Sequence, residues 1–174
     1  MLSGTEEIQL IQRALAGDQQ AFEMLYETHL DELFAFLNQF SEDREQVKDW
    51  SQRAFIKAFK KLGHFKGNSR FKTWLFTIGL NEMRTDMRSK IRFVEYDSSY
   101  ESESFSDDEE ESELWIQAKK AIRKLTPLKK MVVLLHVAED YSHREIGEML
   151  SINESHSRII LHRAKEELKS MVEI

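Results

Sequence analysis

An acidic segment near the middle of the chain limits what this sequence can fold into. Residues 95–113 contain ten Asp or Glu residues, six Ser residues and no Lys or Arg. A run of like charge with so few apolar residues cannot bury enough surface to offset the entropy cost of ordering it. We therefore predict a flexible acidic linker at residues 95–112 between two folded domains, at residues 1–94 and 113–174. A spacer that only keeps the protein in solution would have the same composition.

The formal net charge of −6 conceals an uneven distribution along the chain. Residues 1–52 sum to −8, residues 53–94 to +9 and residues 114–174 to +3. A negative total argues against binding to nucleic acid, whereas a segment of +9 offers a suitable surface for phosphates. The distribution therefore keeps nucleic acid among the expected partners.

The composition disfavours several classes of protein. The chain has no Cys, which excludes disulfides and thiolate metal sites and suits a cytoplasmic protein. We expect no membrane insertion, because no run of 18 apolar residues occurs and the first residues lack the features of a signal peptide. An enzyme, such as a metal-dependent hydrolase that uses the carboxylates, is a weak alternative. The six His residues show no HExxH pairing, and no Gly-rich phosphate loop is present, so we expect no catalytic residue, metal or cofactor.

Helical periodicity dominates the sequence, and no segment alternates convincingly like a strand. The predicted fold is all-α, with a four-helix domain and a C-terminal helix-turn-helix domain joined by the acidic linker. Asp18 and Thr126 are predicted N-caps, and Pro127 is predicted to occupy a first helical position. The predicted helices span about residues 5–16, 18–40, 42–62 and 70–90, then 113–125, a helix from 127, 142–150 and 154–171.

The end of the chain has the pattern of a helix-turn-helix. Ser142 and Glu145 form a capping box that opens a short helix. Residues 151–153 then separate it from a longer helix that carries Arg158, Arg163 and Lys165. A short helix, a three-residue turn and a longer basic helix are typical of a DNA-reading unit, although an ordinary helical hairpin would show the same pattern.

Residues 53–94 interleave aromatic and basic side chains, which suits single-stranded nucleic acid because bases stack on rings and phosphates are charged. Phe65 lies in a glycine-flanked loop that could form a pocket for an extruded base, or it could fill the core between the third and fourth helices. Trp74 could be a core residue or a stacking platform. The fourth helix has a narrow polar and basic stripe, made of Arg70, Thr73, Thr77, Asn81, Arg84 and Arg88.

The third predicted helix carries an apolar stripe on one side. The opposite side holds Asp49, Gln52, Arg53 and Lys60. Such a polar face is usually solvated, but it could equally dock on a helix of a partner protein.

Taken together, these features resemble a bacterial RNA polymerase sigma factor of the extracytoplasmic-function (ECF) group, over nearly the whole chain. The most specific stretch runs from Phe65 to Leu75 and is followed by Asn81, Asp86 and Arg88. The segments that carry the resemblance are residues 15–22 (LAGDQQAF), 49–55 (DWSQRAF), 65–75 (FKGNSRFKTWL), 125–127 (LTP), 141–147 (YSHREIG) and 162–165 (HRAK).

The resemblance implies a transcription initiation factor and not a catalyst. Such a protein binds core RNA polymerase, directs it to promoters, reads the −35 element as duplex DNA and captures the melted −10 element through a flipped base. The acidic linker would thread into the polymerase near the template strand. The resemblance implies polymerase contacts at Asp49, Gln52 and Arg53; −10 contacts at Phe65, Lys66, Asn68, Ser69, Arg70, Lys72, Thr73, Trp74, Thr77, Asn81, Arg84 and Arg88; and −35 contacts at Arg144, Asn153, Glu154, Ser155, His156, Arg158, His162, Arg163 and Lys165.

The main alternative is a helix-turn-helix regulator or anti-initiation factor that does not bind core polymerase. The basic aromatic segment favours the sigma factor, because a conventional repressor does not need it. The family also implies a possible anti-sigma factor as a partner.

The sequence departs from the family pattern in four places. Arg53 stands where an acidic residue is usual, and Ser157 where an apolar core residue is usual. Ser151 replaces a turn glycine, at a cost of about 1 kcal/mol if the site is left-handed. Ile159 and Ile160 replace a Ser-Arg pair, which is expected to remove one DNA contact and to expose apolar surface.

Overall fold

The computed structural model describes residues 4–94 and 113–172. Contacts within these ranges separate the chain into two units, one before and one after the acidic segment. The predicted linker at residues 95–112 lies outside the described residues, so the domain boundaries stay a prediction. Within the described ranges no helix is both long and apolar enough to span a membrane.

The first unit consists of the four predicted helices. They are α1 (Gly4–Leu15), α2 (Gln19–Asn38), α3 (Arg44–Lys61) and α4 (Phe71–Val94), with a 3₁₀ turn at Leu62–His64 after α3.

Side-chain caps open two of these helices. Asp18 caps α2 as predicted, because its carboxylate accepts hydrogen bonds from the backbone N–H groups of Gln20 and Ala21. Asp43 caps α3 in the same way, and this helix therefore begins two residues later than the predicted start at residue 42. The Arg13 side chain donates a hydrogen bond to Asp18 and, with the capping N–H groups, holds the pKa of that carboxyl below its usual value.

Large apolar side chains from α2, α3 and α4 form the core of the first unit. Trp50, Phe36, Phe71 and Phe76 are the largest of its fully buried side chains. The Phe36 and Phe76 rings stack with centroids 5.0 Å apart and so join α2 to α4. This core fixes α4, the helix that carries most of the predicted −10 contacts.

Buried polar groups also tie α3 to α4. Asp86 of α4 accepts a hydrogen bond from Gln46 at 2.8 Å and another from the indole N–H of the fully buried Trp50 at 3.0 Å. Glu82 of α4 is buried and forms an ion pair with Lys57 of α3. Both carboxylates are paired, which for the buried Glu82 avoids a desolvation penalty.

The second unit begins with α5 (Glu113–Lys124) and α6 (Pro127–Val133), which continues as a π-helical turn at Leu134–Ala138. Pro127 occupies the predicted first helical position. Thr126 is the N-cap residue, as predicted, but its side chain makes no capping hydrogen bond. The Thr126 carbonyl instead accepts the first helical bond from the Lys130 N–H at 2.9 Å, so the backbone alone starts the helix.

Helices α7 (His143–Leu150) and α8 (Glu154–Met171) form the predicted helix-turn-helix. The capping box is present: the Ser142 hydroxyl accepts from the Glu145 N–H, and the Glu145 carboxylate accepts from the Ser142 N–H. Ser151 adopts the left-handed conformation with φ +57°, as expected for a turn position that usually holds glycine. Asn153 then caps α8 by accepting from the His156 N–H at 2.7 Å.

The turn passes very close to α7 at Gly147. A Cβ atom on this residue would lie 2.7 Å from the backbone oxygen of Ile152. Only glycine therefore allows the turn to approach α7 this closely, and the angle between α7 and α8 depends on that approach.

Candidate nucleic-acid interface

An aromatic cluster lies at the start of α4. The Phe65 ring centroid is 5.3 Å from that of Trp74 and 5.8 Å from that of Phe71. Phe71 is fully buried, whereas Phe65 and Trp74 are partly exposed. Phe65 therefore packs against the core and also presents part of its ring to solvent, so the geometry is compatible with both interpretations made from the sequence.

The segment between Phe65 and α4 is fully exposed. Lys66, Asn68, Ser69 and Arg70 all have exposed side chains, and Gly67 has φ +70°. The loop thus carries two cations, an amide and a hydroxyl within four residues of Phe65 or Trp74 in the sequence. Charged and hydrogen-bonding groups next to a stacking surface are what single-stranded nucleic acid requires.

The predicted stripe on α4 is shorter than expected. Thr73 is only 7% exposed, so the prediction that its side chain belongs to an accessible stripe is wrong. Thr73 is buried because it lies about 20° around the helix from the buried Leu80, and therefore on the side of α4 that packs against the core. Thr77 is partly exposed, and its hydroxyl donates to the Thr73 carbonyl at 2.8 Å.

The remaining predicted residues of α4 reach solvent to different extents. Asn81 and Arg88 are exposed, and Arg84 is partly exposed. Lys72 is partly exposed and already has two contacts, an ion pair with Glu32 at 3.3 Å and a position 5.1 Å above the Phe76 ring. The accessible −10 candidates on this helix are therefore concentrated between Thr77 and Arg88.

The predicted polymerase-docking residues lie on the outward face of α3. Asp49 and Gln52 are exposed, whereas Arg53 is partly buried, forms an ion pair with Asp49 and lies 3.9 Å from Asp86. Arg53 thus has contacts within its own domain. Ile56 is 53% exposed and lies between Gln52 and Lys60 on this face. The sequence interpretation missed Ile56, although its helical position could have revealed it.

The predicted −35 residues of the second unit are exposed. Glu154, Ser155, His156, His162, Arg163 and Lys165 have exposed side chains on α8. Arg158 is exposed and pairs with Glu154, and Arg144 of α7 pairs with Glu148 at 3.4 Å. Surface pairs one helical turn apart are weak, so these arginines can exchange a carboxylate for a phosphate at low cost. The Asn153 side-chain oxygen is already used in the cap of α8.

The polar residue at the core position of α8 has a partner. Ser157 is fully buried, and its hydroxyl is hydrogen-bonded to Nδ1 of His143 at 2.9 Å. The His143 ring stacks on that of His136 with centroids 4.4 Å apart, and His136 Nδ1 donates to the Tyr141 carbonyl at 2.9 Å. Burial, followed by the nearby His136 and Arg158, lowers the pKa of His143 below its usual value.

The isoleucine pair of α8 divides between the core and the surface. Ile160 is 6% exposed and packs inside the unit, whereas Ile159 is 49% exposed. The prediction that this pair exposes apolar surface is therefore correct for Ile159 and wrong for Ile160. The two residues are 100° apart on a helix, and only Ile160 falls on the side that faces α6 and α7.

A basic and aromatic surface on one helical unit, followed by a helix-turn-helix on another, defines a DNA-binding transcription factor. Two family descriptions match the chain: Sigma-70 region 2 over residues 25–93 and Sigma-70 region 4 over residues 116–168. The chain belongs to the ECF group of bacterial sigma factors, which are transcription initiation factors. The region 2 match separates it from helix-turn-helix regulators that do not bind core polymerase.

Curated relatives and solved structures agree with this assignment. The chain is 34% identical over 92 residues to the RNA polymerase sigma-H factor of Pseudomonas aeruginosa, a match that covers 53% of this chain and 48% of that protein. It is 25% identical over 178 residues to the ECF RNA polymerase sigma-E factor of Haemophilus influenzae, covering 94% of both.

The fold is also that of a solved sigma factor. The sigma factor RpoE of Bartonella quintana, crystallised in complex with the anti-sigma factor NepR, superimposes with a TM-score of 0.76. The match is 24% identical in sequence and covers 88% of this chain and 97% of that one.

Proposed function

We propose that the first unit binds core RNA polymerase and captures the non-template strand of the −10 element, and that the second unit reads the −35 element. The observation that carries this proposal is the aromatic cluster of Phe65 and Trp74 beside the exposed loop. It combines a stacking surface, cations and hydrogen-bonding groups within a few residues.

In this proposal, the outward face of α3 docks on the polymerase. Asp49 and Gln52 supply polar contacts, and Ile56 supplies apolar area between them and Lys60. Arg53 is partly buried and engaged with Asp49, so its main contribution would be to hold that carboxylate in place.

The −10 strand would follow the loop onto α4. A flipped base would meet the exposed part of Phe65 beside Asn68 and Ser69, while Lys66 and Arg70 contact phosphates. The strand would then pass Thr77, Asn81, Arg84 and Arg88. Thr73 has no part in this path because its side chain is buried.

The −35 element would lie against α8 in the major groove. Arg158, Arg163 and Lys165 would neutralise phosphates, and Ser155 and His162 would approach base edges from the centre of the exposed face.

The family supports three further proposals. The protein acts in the cytoplasm, where polymerase and DNA are found, and acts by binding without catalysing a reaction. An anti-sigma factor is a proposed partner, because the structurally similar sigma factor of Bartonella quintana was crystallised with one.

The proposal is tested by promoter opening in vitro with core polymerase. Phe65→Ala and Asn81→Ala should each lower the yield of open complex and weaken holoenzyme binding to a single-stranded −10 oligonucleotide. For the stacking residue the loss should be about 5- to 150-fold, since base stacking contributes about 1–3 kcal/mol. Binding to core polymerase should be unchanged in both variants.

Two matched variants control for loss of stability. Phe34→Ala removes a partly exposed ring from the same unit, and Asn38→Ala removes an exposed amide from α2. Both should open promoters as the unmodified protein does. Equal open-complex yields for Phe65→Ala and Phe34→Ala would refute base capture, and failure to bind core polymerase would refute the function itself.

A further inference from the structure

Over residues 154–165, the exposed face of α8 has a charged border and an uncharged centre. The buried residues Ser157, Ile160, Leu161 and Ala164 define its inward direction. At 100° per residue, Ser155, Ile159 and His162 lie within about 40° of the opposite, outward direction. Arg158 and Lys165 flank this line on one side, and His156 and Arg163 flank it on the other.

A helix in the major groove presents its outward centre to base edges and its flanks to the two phosphate backbones. Ile159 lies in the first half of α8, where recognition helices contact bases, and 49% of its surface is exposed. It has no hydrogen-bonding group. The apolar feature that duplex DNA offers in the major groove is the 5-methyl group of thymine.

We propose that Ile159 is a specificity-determining residue that selects a thymine in the −35 element by packing against its 5-methyl group. The contact buries the methyl group and the exposed part of the isoleucine together, which is favourable. Cytosine in the same position would place its amino group against the isoleucine without a hydrogen-bond partner, which is unfavourable.

The neighbouring side chains restrict this contact to a small area. Arg158 is held by Glu154 on the flank, and Ile160 is buried, so Ile159 is an isolated apolar side chain among exposed polar ones. One side chain of this size reaches one base pair or two adjacent ones. The inference rests on the proposed function, since it requires α8 to lie in the major groove of the −35 element.

The experiment uses holoenzyme and a promoter selected in vitro from a randomised −35 region. Each thymine of the selected element is replaced in turn by deoxyuracil, which removes the 5-methyl group and leaves all hydrogen-bonding groups unchanged. At one thymine, or at two adjacent ones, the unmodified protein should bind about fourfold more weakly, the change that corresponds to one buried methyl group at about 0.8 kcal/mol.

The Ile159→Ala holoenzyme should be insensitive to deoxyuracil at that position and should keep its response to other base changes. Ile116→Ala, which truncates an exposed isoleucine of α5, should retain the full deoxyuracil effect. A −35 element without a methyl-sensitive thymine would overturn the inference, as would an Ile159→Ala protein with undiminished sensitivity. Undiminished deoxyuracil sensitivity of the Ile159→Ala protein would mean that Ile159 faces a protein partner and not the DNA. Absence of any promoter selection would instead refute the proposed function.

Discussion

Asp86 is the residue whose loss should weaken the first unit most directly. Its carboxylate accepts hydrogen bonds from Trp50 and Gln46 of α3, and it is only 21% exposed. In Asp86→Ala the indole N–H of Trp50 would remain fully buried with no acceptor. Because α4 carries the −10 candidates, a loosened α3–α4 contact would also disturb the candidate site.

The size of the stability loss in Asp86→Ala depends on how deeply each of the two donors, Trp50 and Gln46, is buried. A buried donor without a partner costs about 1–3 kcal/mol, which applies to Trp50. Gln46 is partly exposed, so water can replace the carboxylate and the cost there is below about 1 kcal/mol. The free energy of unfolding of the first unit should therefore fall by about 1–4 kcal/mol. Asp86→Asn retains one acceptor oxygen and should lose about half as much.

This loss of stability is measured by urea denaturation, with tryptophan fluorescence as the readout of unfolding. A Trp115→Phe background confines the signal to Trp50 and Trp74 of the first unit. Asp31→Ala removes an exposed carboxylate of α2 and should change stability by less than about 0.5 kcal/mol. If Asp86→Ala is as stable as Asp31→Ala, the hydrogen bond to Trp50 does not contribute as argued.

Two further predictions concern the second unit, with hydrogen exchange of α7 and α8 amides as the measurement. Gly147→Ala should destabilise it by about 1–3 kcal/mol because the new Cβ would meet the Ile152 carbonyl. The control is Gly63→Ala in the first unit, where the new Cβ meets only a side-chain atom at 4.0 Å, so exchange of the α3 and α4 amides should be unchanged. The pKa of His143 is lowered in the folded state, so on acidification the unfolded state takes up this proton at a higher pH than the folded state does. The free energy of unfolding should therefore decline as the pH falls below about 6.5, by at most about 1.4 kcal/mol per pH unit. His143→Gln should flatten this decline and His162→Gln, at an exposed site, should not; a decline that persists in His143→Gln would contradict the assignment.

Local signals explain the parts of the fold that could be predicted. The Asp18 cap and the capping box of Ser142 and Glu145 each depend on residues no more than four apart in sequence. Such interactions are visible in a sequence because the helix itself brings the partners together. The order of the helices and the helix-turn-helix follow from these signals and from the apolar periodicity.

Residues whose surroundings come from distant segments could not be placed in this way. Asp86 and Trp50 are 36 positions apart, and His143 and Ser157 are 14 apart. A helical wheel places Thr73 on the polar stripe because it shows the direction of a side chain and not the neighbours that cover it. The burial of Ile160, next to the exposed Ile159, likewise depends on which side of α8 packs against α6 and α7.

Two of the four departures from the family pattern, Ser157 and Arg53, have a compensating partner and should not be interpreted one position at a time. Ser157 occupies an apolar core position, and its hydroxyl is bonded to His143. An apolar residue at position 157 alone would leave His143 Nδ1 without that partner, which costs more than the lost hydrogen bond itself, whereas apolar residues at both positions would remove donor and acceptor together. Arg53 is compensated in the same way. Its guanidinium forms an ion pair with Asp49, and its Nη2 atom lies 3.9 Å from Oδ1 of Asp86. An acidic residue at position 53 would face those two carboxylates, so the family-typical residue would fit this protein less well than the arginine does.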